Sequence, residues 1–363
     1  MPQPDLITAI FRKEVLELSA YKVAESAGLI KLDAMENPYH WPESAVQAWL
    51  ETIKTAEINR YPDPSAHRLC ATLKDYARIP NDFDLLLGNG SDEIILLLMM
   101  ALKPGATVLS PSPGFVMYKQ LSRSLGLGYV DIPLVPGTFD LDLQAMLLAI
   151  EKHKPALIFL AYPNNPTGNL FDESAIRDII QAAPGLVVID EAYAPFTEAS
   201  FIDSLGQYDN LLVMRTLSKL GLAGLRLGYI VGAPAFIDEL NKIRLPYNIN
   251  TLTQITAEFA LIRADVFDRQ TQQIRRERSR ILETLSSLPP LEVYPSEANF
   301  ILFRTPTNTA NTIYERLKSQ GILIKNLSPQ GELLQDCLRV TIGTPEENDA
   351  FLNALSNCLS ELG

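Results

Sequence analysis

Lys219 stands in the segment RTLSKLGLAGLRLGY, residues 215–229, directly after an apolar run and among glycines. Lysine is ordinarily a surface charge, so the residue alone says little. Its neighbours change that reading. Thr216, Ser218 and Arg226 supply two hydroxyls and a fixed cation, a donor set that suits phosphate. A second cation nearby and removal from water both lower a lysine's proton affinity, as a Schiff-base lysine needs. Asp190 closes another apolar run, LVVID, where an unpaired carboxylate would be costly. An aspartate at that place can hold a protonated ring nitrogen, and Tyr193, three residues on, can reach the same ligand.

Three further segments fall at the ends of apolar runs. GNGSDE, residues 88–93, offers glycines for a tight turn and a helix start whose free N–H groups bind phosphate, with Ser91 or Asp92 placed to cap the helix. It lacks the third glycine of the dinucleotide fingerprint, which disfavours a Rossmann-type dehydrogenase. YPNNPTG, residues 162–168, reads first as a turn; its Asn165 can also hydrogen-bond a ligand oxygen. LRVTIG, residues 338–343, puts Arg339 inside an apolar strand. That arginine is either half of a buried ion pair or a bidentate clamp for a carboxylate or phosphate.

These residues need a scaffold. Strands are expected at Asp84–Leu87, Thr107–Leu109, Tyr129–Ile132, Ala156–Ala161, Leu186–Ile189, Leu211–Met214 and Leu227–Val231, with helices at Ser91–Leu102, Leu143–Lys152, Glu173–Ala183 and Pro234–Arg244. Buried strands alternating with helices predict an α/β domain with a mostly parallel sheet, whose ligands sit beyond the carboxyl ends of the strands. After residue 250 the rhythm changes. A long helical pattern runs from Leu252 to Leu285, followed by a strand at Asn299–Phe303, a helix at Thr309–Ser319, a strand at Leu338–Ile342 and a helix at Glu346–Leu359. This predicts a smaller α+β domain, against which the proline-broken first 40 residues pack.

The 363 residues are 47% hydrophobic and 20% charged, a globular composition long enough for two cores. A net charge of −12 disfavours a general nucleic-acid role, while a small anionic ligand stays open. The basic run RRERSR, residues 275–280, reads as a solvated helix face. Cys70, Cys337 and Cys358 show no CxxC pair and read as reduced thiols of a cytoplasmic protein. The three histidines have no metal-ligand spacing, so no metal is expected. No signal peptide and no membrane span are expected either, since the most apolar stretch, Ile94–Leu102, is too short to cross a bilayer.

NNPTG, a strand-end aspartate with tyrosine three residues later, SKxxGLAGLRxG and a late arginine, in this order, resemble the fold-type I aminotransferases that depend on pyridoxal 5′-phosphate (PLP). Within that class, LDAMENP (32–38), RYPDP (60–64), GNGSDE, PSEANFILF (295–303) and LRVTIGT resemble the histidinol-phosphate aminotransferases. The resemblance covers nearly the whole chain. It implies an α/β fold: a large domain, residues 41–248, on a mostly parallel seven-stranded sheet, and a small α+β domain, residues 249–363, with segment 1–40 packed on it.

The resemblance also implies roles. Lys219 carries PLP as a Schiff base and is catalytic together with Asp190, which pairs with the ring nitrogen, and Tyr193. Asn165 and Tyr193 contact the ring 3-oxygen, and Phe115 stacks on the ring. Ser91, Asp92, Thr216, Ser218 and Arg226 hold the cofactor phosphate. Tyr61 enters the neighbouring subunit's site in a homodimer. Arg339 takes the substrate anion, with Tyr61, Asn165, Tyr21 and Lys325 also placed at the substrate. The implied reaction, a step of histidine biosynthesis, moves the amino group of L-histidinol phosphate to 2-oxoglutarate, giving imidazole-acetol phosphate and L-glutamate. An aromatic amino-acid aminotransferase and a PLP-dependent phosphothreonine decarboxylase are the neighbouring alternatives. Three positions depart from many members of the family: Met35 stands where many have an asparagine, Lys325 stands where many have a second arginine, and the interval from Lys219 to Arg226 is one residue shorter than in many aminotransferases, so that the loop must close differently to bring Arg226 to the phosphate.

Overall fold

Every residue of the run LIFLA, Leu157–Ala161, is buried, a condition met only by a strand whose sheet is covered on both faces. The computed structural model describes residues 4–20 and 24–361. Its strands, in chain order, are β1 (Ile30–Lys31), β2 (Asp84–Gly88), β3 (Thr107–Ser112), β4 (Gly128–Pro133), β5 (Leu157–Ala161), β6 (Leu186–Asp190), β7 (Leu211–Thr216), β8 (Gly228–Gly232), β9 (Glu292–Val293), β10 (Phe300–Arg304), β11 (Ile322–Leu323), β12 (Lys325–Asn326) and β13 (Cys337–Thr341). All seven strands expected before residue 250 form, and they make one sheet in the order β2-β8-β7-β6-β5-β3-β4. Neighbours are parallel except at β8, which runs antiparallel to both β2 and β7.

The single reversed strand matters for the site. The carboxyl ends of β2, β3, β5, β6 and β7 lie at one edge of the sheet, and the start of β8 lies there too. Gly228 sits between Gly88 and Thr216 in register. Residues just before β8, Arg226 among them, therefore reach the edge where ligands are expected. Helices cover both faces. Asp142 and Asp172 cap Leu143–His153 and Glu173–Ala182 by accepting from the backbone N–H groups of Ala145 and Ala175. A further helix, Val116–Ser124, buries Tyr118 and Ser122. The core on one face holds Ile158, Leu160, Ile189 and Val213; that on the other holds Phe159, Val188, Leu212 and Met214, as the two-residue period of a strand requires.

A second sheet, β12-β13-β10-β9, is antiparallel throughout. The N-terminal segment joins this part of the molecule. β1 pairs in parallel with β11, and Leu32 accepts a bond from the Thr341 N–H at 2.9 Å. The helical pattern expected as one run from Leu252 is two helices, Thr251–Ile262 and Ala264–Ser286, broken at Arg263 (φ −110°, ψ 39°). The break has a packing reason: Ala257, Ala260 and Leu261 face the first core, whereas Ile274, Ile281 and Leu285 face the core of the second sheet. The run RRERSR is not a solvated face. Arg278 is 9% exposed and donates to the carbonyls of Phe196 and Ala298 and to Glu297, while Arg275 reaches the Thr197 carbonyl and Glu198. Arginine forks suit such multiple acceptors, and these tie the long helix to the loop that follows Tyr193. Among the described residues no helix is long and apolar enough to cross a membrane.

Candidate active site

One cavity at the carboxyl edge of the large sheet is lined by Ser91, Asp92, Phe115, Asn165, Asp190, Tyr193, Thr216, Ser218, Lys219 and Arg226, together with Met35. These ten expected residues come from five separate segments, and the reversed direction of β8 brings Arg226, at the end of the last one, to the same edge.

The phosphate end is built from backbone as much as side chains. Gly90 opens its helix with φ +77°, and a Cβ there would lie 2.8 Å from the Arg226 guanidinium. A Cβ on Gly228 would lie 2.7 Å from the Ser91 nitrogen. Glycine at both positions lets two backbones and a guanidinium converge. The helix cap differs from expectation. Asn89 is the N-cap residue and makes no side-chain cap bond, and Ser91 and Asp92 lie inside the first turn. Their N–H groups point out of the helix start, where the helix dipole favours an anion. The carboxylate of Asp92 faces Arg226 at 3.5 Å, so only its backbone suits a phosphate.

Thr216, Ser218 and Arg226 form a connected set. The Thr216 hydroxyl donates to the Leu227 carbonyl at 3.1 Å and accepts from the Ser218 N–H at 3.1 Å. Arg226 Nη1 donates to Ser218 Oγ at 3.3 Å. The short loop closes by a tight π-type turn, Ser218–Leu222, in which Gly221 takes φ 129°, and then a 3-10 turn, Ala223–Leu225, with Arg226 itself left-handed at φ 48°. Gly221, which has no Cβ to clash at that φ, and a left-handed Arg226 thus let the short loop close.

Lys219 sends Nζ to the Ala34 carbonyl at 3.2 Å and lies 5.9 Å from the centre of the Tyr193 ring. Burial, and then the cations Arg339 and Arg226, press its proton affinity down from the usual 10.5 to about 8. Asp190 is 4% exposed. Burial raises its carboxyl to about 6, against hydrogen bonds from Tyr118 and the Ala192 N–H that favour the charged form. Tyr193 is held edge-on against Phe300 with ring centres 5.1 Å apart. Arg339 donates to Asn165 Oδ1 at 2.7 Å and to the Asp33 carbonyl at 3.2 Å, with its guanidinium 5.0 Å from the Phe300 ring centre. It is buried beside the cavity, and a planar, multiply hydrogen-bonded guanidinium there can also grip an anion through its fork. Lys325 is the direct partner of Arg339 across β12 and β13, which places both side chains on one side of the sheet.

Met35 occupies the cavity wall with φ 54° and is fixed through its backbone, by Thr341 Oγ1 on its N–H and Asn299 Nδ2 on its carbonyl. Its thioether leaves that wall apolar. Tyr61 is not at this cavity: it is 81% exposed and stacks on Tyr247, ring centres 4.5 Å apart. Tyr21 lies outside the described residues.

Two groups behind the cavity were not singled out in the sequence. Tyr118 donates to Asp190 Oδ2 at 2.6 Å; its spacing of three from Phe115 on a helix start was the available signal. Glu191 and Arg215, neighbours of Asp190 and Thr216, form a buried pair at 2.8 Å, with Ser200 bound to both. An arginine in the apolar run LLVMRT marks it by the same logic that marked Arg339.

A cradle that a Cβ would fill, two hydroxyls, a guanidinium and free helix N–H groups at one end, with a buried carboxylate, an aromatic ring and a depressed lysine along its length, fit PLP in charge and in the groups offered. Fold and site together define a phosphate-anchored lysine site of the α/β type. The family model described as aminotransferase class I and II matches residues 27–355. The chain belongs to that family. It is 53% identical over 352 residues to histidinol-phosphate aminotransferase 2 of Nitrosococcus oceani, covering 97% of this chain and 98% of that one. It is 50% identical to histidinol-phosphate aminotransferase 1 of Ralstonia nicotianae, over 98% and 96% of the two chains. Among solved structures, it is similar to the histidinol-phosphate aminotransferase of Sinorhizobium meliloti in complex with pyridoxal-5′-phosphate, with TM-score 0.86, 25% identity and coverage of 98% and 99%.

Proposed function

We propose that the chain is a PLP-dependent aminotransferase that moves the amino group of L-histidinol phosphate to 2-oxoglutarate. The observation that carries this reading is the convergence of Lys219, Asp190, Asn165, Tyr193 and the Arg226 phosphate cradle on one cavity beside Arg339. The near-full-length relatives named above supply the substrate.

PLP, when bound, supplies a carbonyl that captures an amino group and a ring that accepts the electrons left by proton loss. The chain supplies the rest. Ser91, Asp92, Thr216, Ser218 and Arg226 hold the phosphate and so fix the ring. Asp190, ionised, keeps the ring nitrogen protonated. Asn165 and Tyr193 hold the 3-oxygen, and Phe115 covers one face. Lys219, once free, moves the proton at the substrate carbon; a proton affinity near 8 suits a base working near neutrality. Arg339 is oriented by Asn165 and Asp33, and it binds the carboxylate of one substrate and the phosphate of the other in turn. Lys325 adds a second cation without a fork, so it grips less directionally. The apolar Met35 gives the ligand no polar side-chain contact on that wall.

The same reading makes Tyr61 the residue that a homodimer lends to the site of its second copy, consistent with its exposure and its distance from the cavity of its own chain. It also takes residues 41–248 as the cofactor domain and 249–363, with 1–40, as the domain that carries Arg339, in a cytoplasmic protein. Steady-state assays should give parallel double-reciprocal lines for L-histidinol phosphate and 2-oxoglutarate, the pattern of a ping-pong reaction. Release of CO₂ in place of glutamate formation would show a decarboxylase instead.

A further inference from the structure

Asp190 makes a second contact that the transamination chemistry does not use. Its Oδ1 accepts from the Ala192 N–H at 3.1 Å, and its Oδ2 accepts from the Tyr118 hydroxyl at 2.6 Å. Tyr118 is 1% exposed. Its ring lies flat on Phe159, centres 4.4 Å apart and planes 6° from parallel, and it meets Phe115 edge-on at 5.5 Å. Packing on both sides fixes where the hydroxyl points.

We propose that Tyr118 is the positioning residue that keeps Asp190 ionised and aimed at the cofactor ring, and that through Phe115 it also sets the ring's stacking wall. The inference rests on the PLP reading above and deepens it.

The surroundings of Asp190 decide which of its two protonation states the pocket favours. The ionisable groups around it are Tyr118 from the helix Val116–Ser124, Asp92 from the helix Gly90–Met100, Glu191 and Tyr193 from its own loop, and Lys219 across the cavity. Burial and the acids Asp92 and Glu191 all push Asp190 toward the neutral form. A neutral carboxyl would not hold a protonated ring nitrogen. Against this push stand two donors, one backbone N–H and the Tyr118 hydroxyl. A phenol buried beside a carboxylate has its own proton affinity raised well above the ordinary value, so Tyr118 stays a donor throughout the working range. A short hydrogen bond to the charged form stabilises that form. Removing the hydroxyl alone should therefore move Asp190 further up from about 6.

Tyr118→Phe removes one oxygen and keeps both ring contacts. The probe is pyridoxamine 5′-phosphate, which has the ring and phosphate but no carbonyl to react with Lys219. Its dissociation constant is measured on the full-length protein from pH 5.5 to 8.5, for wild type and variant side by side. The ratio of the two cancels the ligand's own titration. An upward shift of about one pH unit in Asp190 makes the variant bind about fivefold more weakly at pH 6 and equally by pH 8.5. The bond is present before and after binding, so it cancels when Asp190 is ionised in both proteins. Carboxyl ¹³C titration of the same two proteins, with Asp190→Asn identifying the signal, should show the shift directly.

A loss of affinity that is the same at every pH would reduce Tyr118 to packing and overturn the proposal. So would equal affinities throughout, or an unshifted Asp190 signal. If wild type itself fails to bind pyridoxamine 5′-phosphate, the PLP reading fails, and the carboxyl titration still decides whether Tyr118 controls Asp190.

Discussion

Lys219→Ala is expected to lower transamination by on the order of 10⁴-fold or more, and to remove the absorbance of the lysine-linked cofactor altogether. On the proposed reading two functions leave with one side chain. The amine that carries PLP between turnovers is lost, and so is the base that moves the proton. The cofactor should still bind, because the phosphate cradle of Ser91, Thr216, Ser218 and Arg226 does not involve the lysine. A cofactor-loaded variant with no turnover therefore separates loss of chemistry from loss of binding. Methylamine added to the solution should restore part of the rate, since a small base can enter the space the side chain leaves. Wild-type turnover in Lys219→Ala would overturn the assignment.

Arg339→Ala is expected to lower kcat/KM by about 10²- to 10³-fold for both substrates, the cost of removing a buried, hydrogen-bonded cation from an anion's path. The effect on both is the informative part. A residue that served only the phosphate would leave 2-oxoglutarate unaffected. Arg339 also holds Asn165 and the Asp33 carbonyl, so a folding control is needed, and Arg339→Lys provides it. That variant keeps the charge near Asn165 but not the fork, and its losses should fall between wild type and alanine. Unchanged kinetics in a folded Arg339→Ala would remove the clamp role.

The sheet was legible because its strands are buried on both faces and read as unbroken apolar runs such as LIFLA and LVVID. The site was legible where a polar residue directly follows such a run, as Asp190 follows LVVI and Thr216 and Lys219 follow LLVMR. Other features leave no such mark. Tyr118 lies on a nine-residue amphipathic helix with only one other buried side chain, so its hydroxyl reads as ordinary surface polarity. Glu191 and Arg215 are 24 positions apart, and only the parallel register of β6 and β7 brings them together. The closure of the loop to Arg226 depends on Gly221 at φ 129° and a π-type turn, backbone choices that residue types do not dictate. The break at Arg263 comes from two cores competing for one helical pattern. Tyr61 is exposed and stacked on Tyr247, away from the cavity of its own chain, and its proposed task needs a second copy.

The most direct measurement is the single half-reaction. The PLP form is mixed separately with L-histidinol phosphate, L-phenylalanine, L-tyrosine and L-glutamate, and its conversion to the pyridoxamine form is followed by absorbance. L-histidinol phosphate and L-glutamate should each convert it within the turnover time, and the aromatic amino acids, which offer Arg339 and Lys325 neither the phosphate of the first nor the second carboxylate of the other, should convert it far more slowly. Conversion by phenylalanine or tyrosine but not by histidinol phosphate would contradict the proposed substrate, and conversion by none of the four would contradict the transaminase itself.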